Sequence, residues 1–206
     1  MKKVKSVCLT IIMAIAVSAQ ADSLKVDAYA GIEEEPNIIG FTGVKSLPYN
    51  LSIFGFVDFS TAAEKGNNLK NFYGETNLTL SLYKGWGVIA ELNEGSNMDP
   101  LFRGGISYRP PLFKNYGLGL KFLPFRSDGK GGQASISFHK DIYEKFFVEG
   151  WGDLNIPYEN SQDTSYMVEI QGGMQLEGDV YAVVEYRVND CTPDHHKVGV
   201  GLEYRF

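Results

Sequence analysis

The sequence has little cysteine, and it has no long apolar run beyond its first residues. Of its two cysteines, Cys8 lies in the amino-terminal segment and Cys191 near the other end. With Cys191 alone in the rest of the chain, an internal disulfide and zinc sites built from several cysteines are excluded. After residue 21 no stretch reaches the ~20 apolar residues of a membrane-spanning helix, so we expect no helical membrane anchor there.

The first 21 residues have the features of a secretory signal peptide. Three lysines precede an apolar run at 7–17, and Ala19-Gln20-Ala21 fits a small-residue cleavage site. We therefore expect residues 1–21 to be removed by the export machinery and the mature chain to begin at Asp22. A single domain would then span residues 22–206.

Basic residues are also scarce. The whole chain has 19 lysines and arginines against 25 acidic residues, and the segment 1–21 holds three lysines and no acid, which leaves a net charge of −9 for residues 22–206. Nucleic-acid binding depends on a basic surface, so nucleic acid is not an expected partner.

A helical 3.6-residue periodicity is missing, and an alternation of apolar and polar residues takes its place. The alternation predicts an all-β protein, a transmembrane antiparallel up-and-down β-barrel of 12 strands without internal domain boundaries. The predicted strands are 24–33, 38–45, 51–61, 72–83, 87–93, 102–109, 116–125, 133–139, 146–155, 166–176, 180–189 and 197–206.

One face of these strands is predicted to carry no charge, with the phase of the second strand left ambiguous. A charged side chain facing lipid at the bilayer midplane costs ~2–4 kcal/mol, which would remove charge from a lipid-facing surface. The alternative is a soluble barrel or sandwich whose apolar face points inward. Aromatic residues near the strand ends favour the membrane, as two interfacial girdles would. They are Phe59, Phe72, Phe102, Phe122, Tyr166 and Tyr186 at one end, and Tyr108, Tyr116, Phe146, Tyr204 and Phe206 at the other.

The connections and the last strand suggest an orientation. Odd-numbered connections include the longer segments 62–70, 94–100, 157–165 and 190–196, and even-numbered ones the short segments 46–50, 83–86 and 177–179. Long loops outside and short turns inside are typical of the bacterial outer membrane. We expect the final strand to close the barrel and to act as an assembly signal through Val198, Val200, Leu202, Tyr204 and Phe206. The expected partners are outer-membrane lipid, lipopolysaccharide and the outer-membrane assembly machinery.

Enzyme-like and metal-like groupings are weak. Ser137 and His139 share a face, but their order and their position near the periplasmic end argue against a lipid hydrolase, and a hydrogen-bonded pair in the lumen is the simpler interpretation. His195 and His196 lack a ligand spacing and are interpreted as an exposed loop. We expect no catalytic residues, no metal and no cofactor.

The segments "FGFVDFS" at 54–60, "NFYGETNLTLSL" at 71–82 and "AELNEG" at 90–95 resemble the early strands of the nucleoside-specific outer-membrane channel family. The resemblance implies a twelve-stranded barrel with a narrow, aromatic lumen. By position it would make Phe54, Phe56, Asp58, Glu75, Glu91 and Asn93 line that lumen.

The polar face supplies the full set of expected lumen-lining residues. They are Tyr29, Phe54, Phe56, Asp58, Tyr73, Glu75, Asn77, Glu91, Arg103, Lys121, Trp151, Asp153, Glu169, Tyr181, Glu185 and Arg187. Aromatic faces beside hydrogen-bonding groups suit small polar solutes such as nucleosides and sugars. The sequence thus predicts a narrow outer-membrane channel. The alternatives are a closed structural or adhesin-like barrel acting through its outer loops, and the lipid hydrolase.

Overall fold

The computed structural model describes residues 22–31, 37–61, 69–96, 98–158, 163–190 and 196–206. The expected signal peptide, Cys191 and His195 lie outside these ranges. The strands are β1 Ser23–Gly31, β2 Ile38–Leu47, β3 Leu51–Thr61, β4 Leu69–Ser81, β5 Trp86–Gly95, β6 Met98–Tyr108, β7 Gly119–Arg126, β8 Gly131–Ile142, β9 Phe146–Pro157, β10 Ser165–Glu177, β11 Val180–Asn189 and β12 His196–Arg205, and a short 3₁₀ helix spans Pro111–Tyr116. The described residues contain no helix long and apolar enough to cross a membrane.

The twelve strands form a closed antiparallel barrel, which confirms the predicted fold class. Each strand pairs with its neighbours in sequence, and β12 closes the cylinder against β1. The closing register runs from Lys25 opposite Arg205 to Gly31 opposite Gly199. We call the barrel end that holds the start of β1 and the end of β12 the proximal end, and the opposite end the distal end.

The apolar face of the barrel points outward. Along β10 and β12, exposed and less exposed residues alternate one by one. Outward residues such as Ile170, Val184 and Leu202 are 44%, 55% and 55% exposed. The opposite face must be the lumen, because its side chains form ion pairs between strands that are not adjacent, such as Lys25 on β1 with Glu149 on β9.

The expectation of an uncharged outward face is wrong for Lys45. The register of β2 turns Gly40 and Thr42 inward, opposite Asp27 and Lys25, and therefore turns Lys45 outward. Its ammonium lies 2.9 Å from Asp22 Oδ1 at the proximal end. A charge at this end is tolerated because the cost of a lipid-facing charge falls to about 0–1 kcal/mol near the membrane interface.

The proximal connections are mostly tight turns. Tyr49 and Asn50 both have positive φ, as do Lys84 and Gly85, which is the conformation of two-residue turns that match the strand twist. The connection between β6 and β7 departs from this rule because it contains the 3₁₀ helix. Tyr116 ends that helix and is not part of a strand, contrary to expectation, and β6 already begins at Met98, which shortens the expected distal loop at 94–100.

Candidate functional site in the barrel lumen

The strand registers place every expected lumen-lining residue on the inward face. The role of these side chains in solute passage stays a prediction. The inward set runs from Tyr29 on β1 through Phe54, Phe56 and Asp58 on β3, Tyr73, Glu75 and Asn77 on β4, Glu91 on β5, Arg103 on β6, Lys121 on β7, Trp151 and Asp153 on β9 and Glu169 on β10 to Tyr181, Glu185 and Arg187 on β11.

Lys121 and Arg103 hold a first cluster of carboxylates, between β4 and β7. The Lys121 ammonium lies 3.2 Å from Glu75 Oε1 and 2.7 Å from Glu91 Oε2. Arg103 Nη1 donates to Glu91 Oε1 at 2.9 Å and also to Asn93 Oδ1. The Glu91 side chain has no exposed surface, so its charge depends on these two cations.

A second cluster, near the proximal end, joins β1 to β9, which lie a third of the barrel circumference apart. Lys25 Nζ lies 2.7 Å from Glu149 Oε1 and 2.9 Å from Glu203 Oε2. Gln171 donates from Nε2 to Glu203 Oε2 at 2.9 Å, and Arg205 pairs with Glu203. Sequence reasoning missed this cluster as a site, although the alternation of β1, β9, β10 and β12 places all five side chains on the inward face.

Arg187 organises a third cluster, on β10 and β11. Its Nη2 lies 2.5 Å from Glu169 Oε2 and 3.2 Å from Glu185 Oε1. Two carboxylates thus share one guanidinium, and Lys197 on β12 is the register partner of Arg187.

Aromatic rings occupy the inward face at two places. Phe56 lies with its ring centroid 6.2 Å from that of Phe54 and 5.7 Å from that of Tyr73. On the other side, Arg205 places its guanidinium 3.9 Å from the ring centroid of Phe147 and 4.6 Å from that of Tyr181. Both groups combine flat apolar surfaces with neighbouring charge, an arrangement that suits ring-shaped polar solutes.

The lumen retains space that solvent can reach. The side chains of Lys25, Lys121 and Arg187 are 23%, 24% and 22% exposed although they lie inside the cylinder. Glu91 and Glu203 are fully covered by comparison. The inward cations are thus partly accessible to water, whereas the carboxylates of Glu91 and Glu203 are covered. A solute in a narrow polar passage would meet the cations first.

His139 and His196, the two histidines in the described ranges, do not form a catalytic or metal-binding arrangement. Both ring nitrogens of His139 face carboxylates, Nδ1 at 2.9 Å from Glu149 and Nε2 at 3.3 Å from Asp141, so the expected bond to Ser137 is replaced by these contacts. His196 begins β12 and its Nδ1 lies 2.7 Å from the Tyr186 hydroxyl. Within the described ranges, no group of three or more His, Cys, Asp or Glu residues is placed to hold a metal ion.

Comparisons with known proteins give matches to solved structures only. No family model matches the chain, and no curated protein sequence matches it. The solved KdgM porin superposes with a TM-score of 0.59 at 10% identity, covering 89% of this chain and 99% of that one. A structure of KdgM porin in complex with disordered oligogalacturonate gives 0.58 at 10% identity over 89% and 99%. The NanC porin gives 0.58 at 10% identity over 88% and 98%.

These matches establish a likeness of fold. The fold is similar to that of the KdgM and NanC porins, and the matches do not show the finer resemblance to nucleoside-specific channels. At such low identity, the solute of a neighbouring structure is a property of that neighbour.

Proposed function

We propose that this protein is an outer-membrane barrel that provides a narrow, water-filled path for small polar solutes. The observation that carries the proposal is the polar lumen, in which lysine and arginine side chains remain partly exposed between carboxylates. A twelve-stranded cylinder is also wider than the eight-stranded barrels that side chains alone can fill.

The outward surface supports a position in a membrane. Aliphatic residues cover the outer wall, and aromatic residues cluster near the proximal end, where Trp86 stacks on Tyr108 at 4.4 Å and Tyr204 contacts Phe206 at 4.4 Å. Such belts anchor barrels at the membrane interface. Together with the expected signal peptide, they favour the bacterial outer membrane, with the proximal end in the periplasm.

The lining favours neutral or positively charged solutes over acidic ones. Inward carboxylates outnumber inward cations, the former being Asp27, Asp58, Glu75, Glu91, Asp141, Glu149, Asp153, Glu169, Glu185 and Glu203, and the latter Lys25, Arg103, Lys121, Arg126, Arg187, Lys197 and Arg205. The oligogalacturonate named for the KdgM complex is a chain of acidic sugars, which this lining would repel. Neutral sugars and nucleosides are therefore our candidate solutes.

Channel activity can be tested with the purified, refolded barrel in planar bilayers and in swelling liposomes. We expect discrete conductance steps in KCl, and faster swelling with neutral monosaccharides or nucleosides than with galacturonate oligomers. Protein denatured before reconstitution is the matched control. A folded barrel that neither conducts nor admits any of these solutes would contradict the proposal.

A barrel that is closed at rest is the second candidate. The ion pair between Lys25 and Glu149 joins strands that are separated by three others, and it narrows the passage. In that case the outer connections would carry the function, and cells producing the barrel would gain adhesion without any gain in solute uptake.

A further inference from the structure

The side chains of Asp27 and Asp58 approach the same glycine from the two strands that flank it. In the sheet, Gly40 on β2 lies directly between its partners Asp27 on β1 and Asp58 on β3. A Cβ atom added to Gly40 would collide with Asp27 Oδ1 and lie 2.9 Å from Asp58 Oδ1. The two carboxylates therefore converge on a space that exists because Gly40 has no side chain.

Among the described residues, neither carboxylate has a compensating partner. Within the described part of the chain, no ion pair or hydrogen bond reaches the side chain of Asp27 or Asp58, and Asp27 is only 7% exposed. Burying a carboxylate without a partner is costly, so a native structure normally supplies one.

The neighbouring cations Lys25 and Arg187 already form ion pairs with other carboxylates. Lys25 is shared by Glu149 and Glu203, and Arg187 by Glu169 and Glu185. Lys25 and Arg187 attract Asp27 and Asp58 from a distance without binding them. No described cation binds the two carboxylates, which leaves water, a proton or a cation in the lumen to compensate their charge.

We propose that Asp27, Asp58 and Gly40 form a binding site for a permeant monovalent cation such as K⁺ or Na⁺. This inference rests on the proposed channel function and specifies its charge selectivity. Either a monovalent ion or Ca²⁺ can complete its shell with lumen water, but two carboxylates attract a monovalent ion half as strongly as a divalent one, and conduction requires weak binding. The distant lysine and arginine weaken the binding, which conduction requires, because an ion that binds must also leave.

The first test measures the K⁺/Cl⁻ permeability ratio from reversal potentials in a KCl gradient. We expect the wild-type barrel to prefer K⁺, and Asp27→Asn, Asp58→Asn and the double variant to bring the ratio towards unity. Asp153→Asn is the matched control, since Asp153 is also an inward carboxylate without an ion pair among the described residues, and its register partners are Ser135 and Met167, not a second aspartate. An equal loss of K⁺ preference in all three single variants would show that the total charge of the lumen sets the selectivity. That result would overturn the proposed binding site.

Gly40→Ala separates geometry from charge. It preserves every carboxylate and fills the space between Asp27 and Asp58, so it should lower the K⁺ preference as the aspartate variants do. Heat-modifiable migration on gels shows whether the Gly40→Ala protein is folded. If the folded variant keeps the wild-type K⁺/Cl⁻ permeability ratio, the proposal is contradicted.

Direct ion binding keeps the inference testable if the channel proposal fails. In detergent, the wild-type barrel should broaden the ²³Na NMR signal of added NaCl, and excess KCl should reverse the broadening. The Asp27→Asn, Asp58→Asn double variant should broaden it less than Asp153→Asn does. A barrel that conducts nothing but binds Na⁺ in this manner would refute the channel and retain the site, whereas equal broadening in all variants would refute the site.

Discussion

The ammonium group of Lys25 lies 2.7 Å from a carboxylate oxygen of Glu149, although β1 and β9 are separated by three strands in the barrel. Strands that are not neighbours can touch in this way only through the lumen. The pair therefore reduces the width of the lumen near the proximal end, and Lys25 is a suitable position for testing the proposed channel.

Replacement of Lys25 by methionine should raise single-channel conductance in planar bilayers. The substitution removes the link to Glu149 and leaves Glu203, whose side chain is covered, with fewer partners. Loss of such a charge-assisted contact should lower the free energy of unfolding by about 1.5–3 kcal/mol. Lys45→Met is the control, because Lys45 pairs with Asp22 on the outer wall. The conductance of this variant should match that of the wild type. Equal conductance in Lys25→Met and wild type would show that the pair does not limit flow.

Phe56→Ala should weaken discrimination between nucleosides and sugars of similar size in liposome swelling. The Phe56 ring lies between Phe54 and Tyr73, and aromatic contacts of this kind contribute about 0.5–1.5 kcal/mol. Such a loss corresponds to roughly a two- to tenfold change in relative uptake. Phe59→Ala removes a ring that faces outward against Phe41, and it should leave uptake unchanged. Unaltered selectivity in Phe56→Ala would contradict a stacking role.

Deletion of Phe206 should impair assembly in the outer membrane. Its backbone N–H donates to the Leu24 carbonyl at 2.8 Å, and its ring packs against Tyr204 in the closing strand pair. We expect less heat-modifiable barrel and more degraded protein in cell fractions. Deletion of Asp163, in the connection between β9 and β10, should be far milder. Normal amounts of inserted barrel without Phe206 would argue against an assembly signal in the last strand.

The orientation can be tested with single cysteines placed at opposite ends of the barrel. In a Cys191→Ser background, Asp128→Cys lies in the distal connection between β7 and β8, and Tyr143→Cys in the proximal turn between β8 and β9. A membrane-impermeant maleimide should label position 128 on intact cells, and position 143 only after the outer membrane is opened. The reverse pattern would invert the proposed topology.

The sequence by itself determined the architecture. Alternation with period two, as in Val180 to Asn189, assigns each strand residue to one of two faces, and its repetition predicts twelve strands that the structure confirms. The same alternation places residues such as Glu75 and Arg187 on the face opposite the apolar one, and the structure shows that this face points inward. These features are local, so the order of residues along the chain is enough to specify them.

The register between strands and the contacts across the lumen were decided by the tertiary structure. Alternation left the phase of β2 open, and the pairing of Gly40 with Asp27 and Asp58 resolved it and turned Lys45 outward. No local pattern relates Lys25 to Glu149, because they lie 124 positions apart. Closure of the cylinder brings such residues together, and among the described residues it gives Asp27 and Asp58 no ion pair. Ion pairing depends on distances in space, which the spacing along one strand does not specify.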